Sequence, residues 1–486
     1  MTPEEFRSAG HVLIDWIADY RERIADLPVQ AQVRPGDVIA ALPATPPEGT
    51  EGIAALIADL DRVIVPGLTQ IQHPRHVGWF PSNAALASVL GDLASSGLGG
   101  LGISWQSAPA LTELEQVVCD WMRQLTGLDP AWRGAIHDTA SSACLVALLA
   151  ARERAGDYSA EHGGLQSLPQ PLVVYAGQQA HSSVAKAALL AGFGRDNLHL
   201  IRSDPVSQAL RPDALEAAMA ADVEAGRRPA AVVVSIGTTA TTAVDPLARV
   251  LPIAQRYGAW VHVDAAMAGS ALLLPECRGL VEGIDGGVDF RPADSLSWNP
   301  HKWMGTVLDC SLLYVRDPDL LVRVMSTSPS YLRSTAGPVT EYRDWGVPLG
   351  RRFRALKLWF HLRLDGVEAI RARLRRDLAN ARRLADLVAA EPGWRVLAPV
   401  PLQTVCLRHE PRGLVAADGT VLDGEALDRH TLAWADALNA SGTAFVTPAV
   451  LNGHWMVRIS IGVESTEWDD VVAVWDTLRE HAEKPR

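Results

Sequence analysis

Ser297-Trp298-Asn299-Pro300-His301-Lys302-Trp303 carries one of only four lysines in the chain, which otherwise takes its positive charge from arginine. A guanidinium stays charged at any accessible pH, whereas a desolvated lysine amine can lose its proton and form a Schiff base with a carbonyl carbon. Lys186 and Lys357 lie in helical patterns and Lys484 in the C-terminal tail, settings that read as ordinary. Lys302 alone follows a short apolar, strand-like segment, Ser295-Leu296-Ser297-Trp298, across a turn-forming Asn-Pro pair. Upstream, the apolar run Ala259-Trp260-Val261 closes on His262-Val263-Asp264-Ala265-Ala266. A lysine and a carboxylate thus sit at the ends of two strand-like runs.

Both runs belong to a longer alternation that starts near residue 86. Leu172-Val173-Val174-Tyr175, Leu198-His199-Leu200-Ile201 and Ala231-Val232-Val233-Val234 are separated by helical stretches. This pattern predicts an α/β fold with a mostly parallel, buried sheet. Ligands of such sheets collect at the carboxyl ends of strands, where Asp264, Lys302 and the turn Gly237-Thr238-Thr239 fall. Lysine for an aldehyde carbon and aspartate for a pyridinium nitrogen point to pyridoxal 5'-phosphate. Thr139-Ala140-Ser141-Ser142 follows the strand-like Ala135-Ile136-His137 and opens a helix expected from Ala143 to Glu153. By itself this is an ordinary N-cap; beside the other pieces it reads as a phosphate site of hydroxyls and free amides. His181, in Ala180-His181-Ser182-Ser183, reads alone as a cap or an exposed side chain. In context its ring stacks on the cofactor and exchanges protons near neutrality. Asp264 could cap the next helix, but the small Ala265 and Ala266 leave room for a flat ring against the backbone.

The 486 residues, 48% hydrophobic and 21% charged, suffice for two or three domains. A net charge of -12 argues against nucleic acid or an anionic membrane as main partner. Five scattered cysteines without a C-x-x-C pair, no signal-like N-terminus and no apolar run near the ~20 residues of a membrane span lead us to expect a cytoplasmic protein. Gly97-Leu98-Gly99-Gly100-Leu101-Gly102 matches a dinucleotide fingerprint, but it follows a helical run, Ala84 to Ser95, rather than a strand. His73 and His76 flank Pro74 and no H-E-x-x-H occurs, so no metal site is expected. Residues 1–85 read as a helical arm, with an amphipathic helix from about Pro3 to Ile24 and then prolines; too thin for its own core, the arm should pack on another body such as a second subunit. Residues 86–360 form the expected large domain. Residues 361–486 form a smaller α+β domain, with strands at Trp394-Arg395-Val396-Leu397, Thr404-Val405-Cys406-Leu407 and Met456-Val457-Arg458-Ile459. Arg351 to Ala390 is an arginine-rich helical region across that boundary.

With these pieces assembled, the chain resembles the group II pyridoxal-phosphate-dependent amino-acid decarboxylases, and within them the aromatic-L-amino-acid decarboxylases. The resemblance runs nearly end to end. It rests on His262-Val263-Asp264-Ala265-Ala266, Asn299-Pro300-His301-Lys302-Trp303, Ala180-His181-Ser182-Ser183 and Pro348-Leu349-Gly350-Arg351-Arg352-Phe353-Arg354. It implies a fold-type-I, aspartate-aminotransferase-like homodimer with its active site at the subunit interface. It further implies that Lys302 holds the cofactor aldehyde, Asp264 pairs with the pyridine nitrogen, Ala266 lies under the ring and His181 stacks above it. Thr139, Ala140, Ser141 and Asn299 would hold the phosphate, with Thr239 and His301 also in the cofactor site. Trp79, Phe80, Pro81 and Ser82 would line the substrate pocket, with Leu101 and Ile103 reaching in from the partner. Ile103 stands where animal members carry phenylalanine, Ser82 where they carry threonine, and Ser142 where many relatives have glutamate.

The implied reaction is decarboxylation of an aromatic L-amino acid to its arylalkylamine. Tryptophan, phenylalanine, tyrosine and DOPA all fit that description. Tyr331, on the Ser-, Thr-, Gly- and Pro-rich stretch from Thr327 to Pro338, matches the family's proton donor. An aromatic aldehyde synthase, which couples decarboxylation to oxidative deamination, is the nearest alternative; such relatives often replace the loop tyrosine or the stacking histidine, and this chain keeps both. A glutamate or cysteine-sulfinate decarboxylase fits less well beside Trp79, Phe80 and Leu101. A cofactor-binding regulator would carry a basic DNA-binding module, and no such segment occurs.

Overall fold

The structure is a computed structural model that describes residues 1–327, 339–416 and 419–484. Seven strands form its larger sheet: β1 (Arg133–His137), β2 (Leu172–Gly177), β3 (Leu198–Ile201), β4 (Arg228–Ser235), β5 (Trp260–Asp264), β6 (Ser295–Trp298) and β7 (Ser311–Val315). Their order is β1-β7-β6-β5-β4-β2-β3. The pairs β2–β3, β2–β4, β4–β5 and β5–β6 are parallel, while β7 runs antiparallel to both β1 and β6. Six strands therefore point one way. The strand β7 was not anticipated from the sequence. Its direction follows from its connection: the chain leaves β6 through a tight turn at Pro300–Met304 with no crossover helix to carry it back along the sheet, and a parallel neighbour needs such a crossover.

Helices on the faces explain the composition of the strands. Residues of β2, β5, β6 and β7 are buried along their whole length, the condition under which strands read as continuous apolar runs instead of alternating ones. The helix Ala140–Ala155 carries an alanine-rich surface and packs into the core formed with β2, β4 and β7. It starts three residues earlier than expected, because Thr139 takes the N-cap position and its side chain accepts from Ser142 N at 3.4 Å. The glycine-rich fingerprint begins within the last turn of a helix, Leu86–Leu98, and Gly99 ends that helix in the left-handed conformation at φ 61°.

The chain divides into two compact units. One contains Ser82–Arg382 and Leu397–Val405, with the seven-stranded sheet. The other gathers Met1–Pro81, Arg383–Val396 and Cys406–Arg486. A four-stranded sheet is built from β8 (Trp394–Val396), β9 (Thr404–His409), β10 (Thr447–Leu451) and β11 (His454–Ser460) in the order β10-β11-β9-β8. Within that second unit the N-terminal residues meet the C-terminal ones through Val77 N to Phe445 O at 3.0 Å and Ser460 N to Val77 O at 2.7 Å. The first helix, Pro3–Arg23, is closed by a Thr2–Glu5 capping box and buries none of its residues. The region Arg351 to Ala390 resolves into two helices, Ala355–Leu364 and Val367–Ala390. Among the described residues no helix is long and apolar enough to cross a membrane.

One expectation is overturned. Lys357 is not in an ordinary setting: it is fully buried, with Nζ 3.0 Å from Asp92 and 3.9 Å from Asp309. Helix periodicity placed it correctly, but the face it occupies is the one pressed against helix Leu86–Leu98. That packing is close because residue 91 is glycine; a Cβ there would lie 2.7 Å from the Lys357 Cα.

Candidate active site

The parallel direction of β1, β2, β4, β5 and β6 brings their carboxyl ends to one edge of the sheet. Thr139 follows β1, His181 follows β2, Thr239 follows β4, Asp264 ends β5 and Asn299–Lys302 follow β6. Asp264 is 8% exposed and pairs in register with Ser235 on one side and Ser297 on the other. Its Oδ1 accepts from Ala266 N at 3.0 Å, so the carboxylate holds its own following turn and does not cap the later 3-10 helix, whose N-cap is Met267. Ala265 N donates to Ser297 O at 2.9 Å and Asn299 N to Ala266 O at 2.9 Å. These two bonds tie the turn after Asp264 to the turn that presents Lys302.

Lys302 departs from the helical conformation of its neighbours, with φ -101° and ψ -118°. The turn around it is fixed on several sides. His301 Nδ1 accepts from Cys310 N at 2.9 Å, Trp303 Nε1 donates to Asp377 Oδ2 at 2.8 Å, and Arg373 donates to the Trp303 carbonyl at 2.9 Å. His301 is buried and its pKa falls to about 4, first through loss of solvent and then through the Lys302 charge. It is therefore neutral at physiological pH.

Three charged or titratable groups share one electrostatic neighbourhood. The His181 pKa is lowered, first by desolvation and then by Lys302, while Asp264 pulls it the other way. His181 is also the N-cap of the helix Ser182–Leu190, its Nδ1 accepting from Ser183 N at 3.1 Å, so the neutral ring carries its proton on Nε2. The cap reading is met: the ring closes the first turn of this helix.

The residues fit pyridoxal 5'-phosphate. The buried Asn299 carboxamide has an oxygen without a partner; turned about its axis, the group offers an N–H in its place. The first-turn amides of helix Ala140–Ala155 have no partner earlier in that helix, and Ser141 is exposed beside them. Gly237, which opens the turn carrying Thr239, has φ 84°, and a Cβ on it would come within 2.8 Å of the Ala268 Cβ. Only glycine lets that turn lie so close to the segment after Asp264.

The expected substrate residues are distributed. Ser82 lies in the same unit as Lys302, its Oγ 3.5 Å from the His301 carbonyl, and so do Leu101, 55% exposed, and the half-buried Ile103. Trp79, Phe80 and Pro81 belong to the other unit. There Trp79 stands at φ 40° with its ring edge-on to Phe445, and the Arg458 guanidinium lies 4.4 Å over the Phe80 ring. Tyr331 lies outside the described residues. Sequence reading gave Lys357, Asp309 and Arg354 no role beside Lys302. Arg354 donates to both Asp309 carboxylate oxygens at 3.0 Å, and Asp309 precedes the Cys310 amide that holds His301. Burial raises the Asp309 pKa, but the Arg354 bond and the charges of Arg354 and Lys357 outweigh it and hold the carboxyl low. The scarcity of lysine was a signal for Lys357 as much as for Lys302.

The model of the pyridoxal-dependent decarboxylase conserved domain matches residues 35–410. The chain is 38% identical to phenylacetaldehyde synthase of Arabidopsis thaliana, over 99% of this chain and 96% of that protein. It is 36% identical to tyrosine decarboxylase of Papaver somniferum, over 99% and 95% respectively. The crystal structure of Oryza sativa TDC with PLP and tryptamine is similar throughout, with a TM-score of 0.93, 35% identity and coverage of 99% of this chain and 98% of that one.

Proposed function

The chain belongs to the pyridoxal-dependent decarboxylase family, and we propose that it removes the α-carboxylate of an aromatic L-amino acid as carbon dioxide, leaving the arylalkylamine. The observation that carries this reading is the neighbourhood of Lys302, Asp264 and His181 at the strand ends. Lys302 would hold the aldehyde carbon of pyridoxal 5'-phosphate, and Asp264 the ring nitrogen. Ala266 and His181 would take the two ring faces, Thr139, Ala140, Ser141 and Asn299 the phosphate, and Thr239 and His301 the periphery. When bound, the cofactor draws electrons away from the α-carbon of the amino acid.

The rest falls to the chain. Asp264 would face the ring nitrogen, which must stay protonated, and the neutral His301 adds no positive charge there. His181, with its proton on Nε2, can donate without being charged. Tyr331 would return a proton to the α-carbon after carbon dioxide leaves. Trp79, Phe80, Pro81 and Ser82 would select a flat apolar side chain, with Leu101 and Ile103 supplied by a second copy. Aromatic substrates are further supported by relatives named for tyrosine and phenylacetaldehyde and by the tryptamine in the rice structure.

We also infer a cytoplasmic homodimer in which residues 1–85 pack on the partner, beside a cofactor domain at 86–360 and a C-terminal domain at 361–486. The helix Pro3–Arg23 supports it: none of its residues is buried, and Phe6, Val12, Leu13 and Ile14 are exposed. A truncated chain without that arm that stayed an active monomer would sink the inference.

The 38% identity to a phenylacetaldehyde synthase favours aldehyde formation as a second reading. The purified protein should be assayed against L-tryptophan, L-phenylalanine, L-tyrosine and L-DOPA with separate measurement of carbon dioxide, amine, aldehyde and peroxide. We expect amine equal to carbon dioxide. Aldehyde and peroxide in its place would establish the second reading, and turnover of glutamate alone would overturn both.

A further inference from the structure

Among the residues expected to line the substrate pocket, Trp79 alone lies in the left-handed region, at φ 40°. For a bulky side chain that conformation crowds Cβ against the carbonyl, and it persists only where the surroundings hold it. Burial is not what holds it, since Trp79 is 46% exposed. Its backbone N–H donates to Thr447 Oγ1 at 2.7 Å, and its ring stands edge-on to Phe445, with centroids 4.9 Å apart at 61°. Phe445 is itself fixed. Its ring stacks on the buried His76 at 5.1 Å, its N–H donates to the Arg75 carbonyl at 3.2 Å, and its own carbonyl accepts from Val77 N at 3.0 Å. Thr447 opens β10 and pairs in register with Arg458 of β11, the residue whose guanidinium lies over Phe80. One cross-strand pair thus meets the two consecutive residues Trp79 and Phe80.

We propose that Thr447 and Phe445 are positioning residues for substrate choice: by holding Trp79 in its left-handed conformation they fix the ring that discriminates among aromatic side chains. A wall free to move accepts rings of different size almost equally. A wall held in place does not, and a difference of one methylene against it is worth at least about tenfold in kcat/KM. The proposal rests on the reading that Trp79 lines the pocket of an aromatic amino acid, and the two fail differently.

The test measures kcat and KM for L-tryptophan, L-phenylalanine, L-tyrosine and L-DOPA, with the urea midpoint of each variant as the check on stability. Thr447→Val keeps the shape of the side chain and removes the acceptor of the Trp79 N–H. The ratio of kcat/KM between the parent's best and poorest aromatic substrates should shrink about tenfold. The change should fall on KM, because the ring would touch the substrate's side chain and not the reacting bonds. Thr447→Ser, which keeps the hydroxyl, should retain the parental ratio. Trp79→Gly, free to adopt the same φ, should relax the ratio by itself, and Thr447→Val added to it should change the ratio by less than about twofold. A Thr447→Val protein whose kcat/KM falls equally for every substrate would mark the hydroxyl as merely structural and overturn the proposal, as would one with parental constants. Should Thr447→Val fail to fold, Phe445→Leu, which loses the edge-on ring contact, decides by the same ratio. If Trp79→Gly discriminates as the parent does, Trp79 is not in the pocket, and that assignment falls together with the proposal. If Trp79→Gly relaxes the ratio and Thr447→Val does not, the pocket stands and the proposal alone falls.

Discussion

Of the four lysines, Lys302 and Lys357 show how little a side chain's identity says without its surroundings. Lys302 stands in a non-helical turn at a strand end, while Lys357 is sealed against two carboxylates. Lys302→Ala should abolish multiple turnover and remove the cofactor–peptide adduct trapped by borohydride, since Lys357 has no exposed surface from which to replace it. Recovery of an adduct on any peptide of that variant would refute the assignment. Tyr331→Phe keeps the ring and deletes the proposed donor. Carbon dioxide should still be released, and the product should shift from amine to aldehyde, ammonia and peroxide. Amine at the parental rate without aldehyde would pass the donor role to His181 or water. The strand-end positions of Asp264, Lys302 and His181 were legible in the sequence because each ends or follows a recognisable strand. His262 was quoted within the same motif but offered no separate signal, since its partners Ser295 and Ser297 are more than thirty residues away.

The turn that presents Lys302 is braced by the helices Leu86–Leu98 and Ala355–Leu364. Lys357 on the second reaches Asp92 on the first and Asp309 beyond the turn, and Arg352 and Arg354 pair with the same two carboxylates. A buried ion pair adds little over an apolar pair, but removing one partner leaves the other charge stranded. Lys357→Ala should therefore cost about 3 kcal/mol, at the low end for a broken buried pair because both aspartates keep an arginine. The urea midpoint should fall accordingly; an unchanged midpoint would show that the arginines suffice. Helix periodicity could reveal that residues 355 to 364 form a helix. It could not reveal which partner helix would press on Lys357, because that depends on Gly91 allowing the backbones to approach.

Across the whole chain, buried neutral histidines set the response to acid. His73, His76, His262 and His301 are lowered to about 4, and His137 and His361 to about 3, in each case chiefly by desolvation. The unfolded chain takes up these protons near pH 6.5 and the folded chain does not, so stability is full above that pH and declines as pH falls toward 4. Each histidine contributes a slope of up to about 1.4 kcal/mol per pH unit in that window. Asp245 opposes them: burial raises its pKa to about 6, so the folded state holds a proton there that the unfolded state releases. One carboxyl against six histidines leaves the sign unchanged. Calorimetry from pH 7.5 to 4.5 should show a Tm falling steeply below pH 6.5; a Tm that held flat to pH 4.5 would contradict the burial of these rings.

The sequence by itself determined the α/β class, the strand ends that carry Asp264 and Lys302, the N-cap at Thr139 and the family motifs. These are local properties: runs of apolar residues, turn chemistry and spacing are written in contiguous residues. Tertiary structure alone decided that β7 enters the sheet antiparallel, that Ser297 pairs with Asp264 in register, that His262 is held neutral between two serines, and that the buried Lys357 meets Asp92 and Asp309. Each of those depends on which distant segments become neighbours, and on the water they exclude when they do. Strand pairing and desolvation are properties of contacts between segments far apart in the chain, which no single stretch of residues encodes.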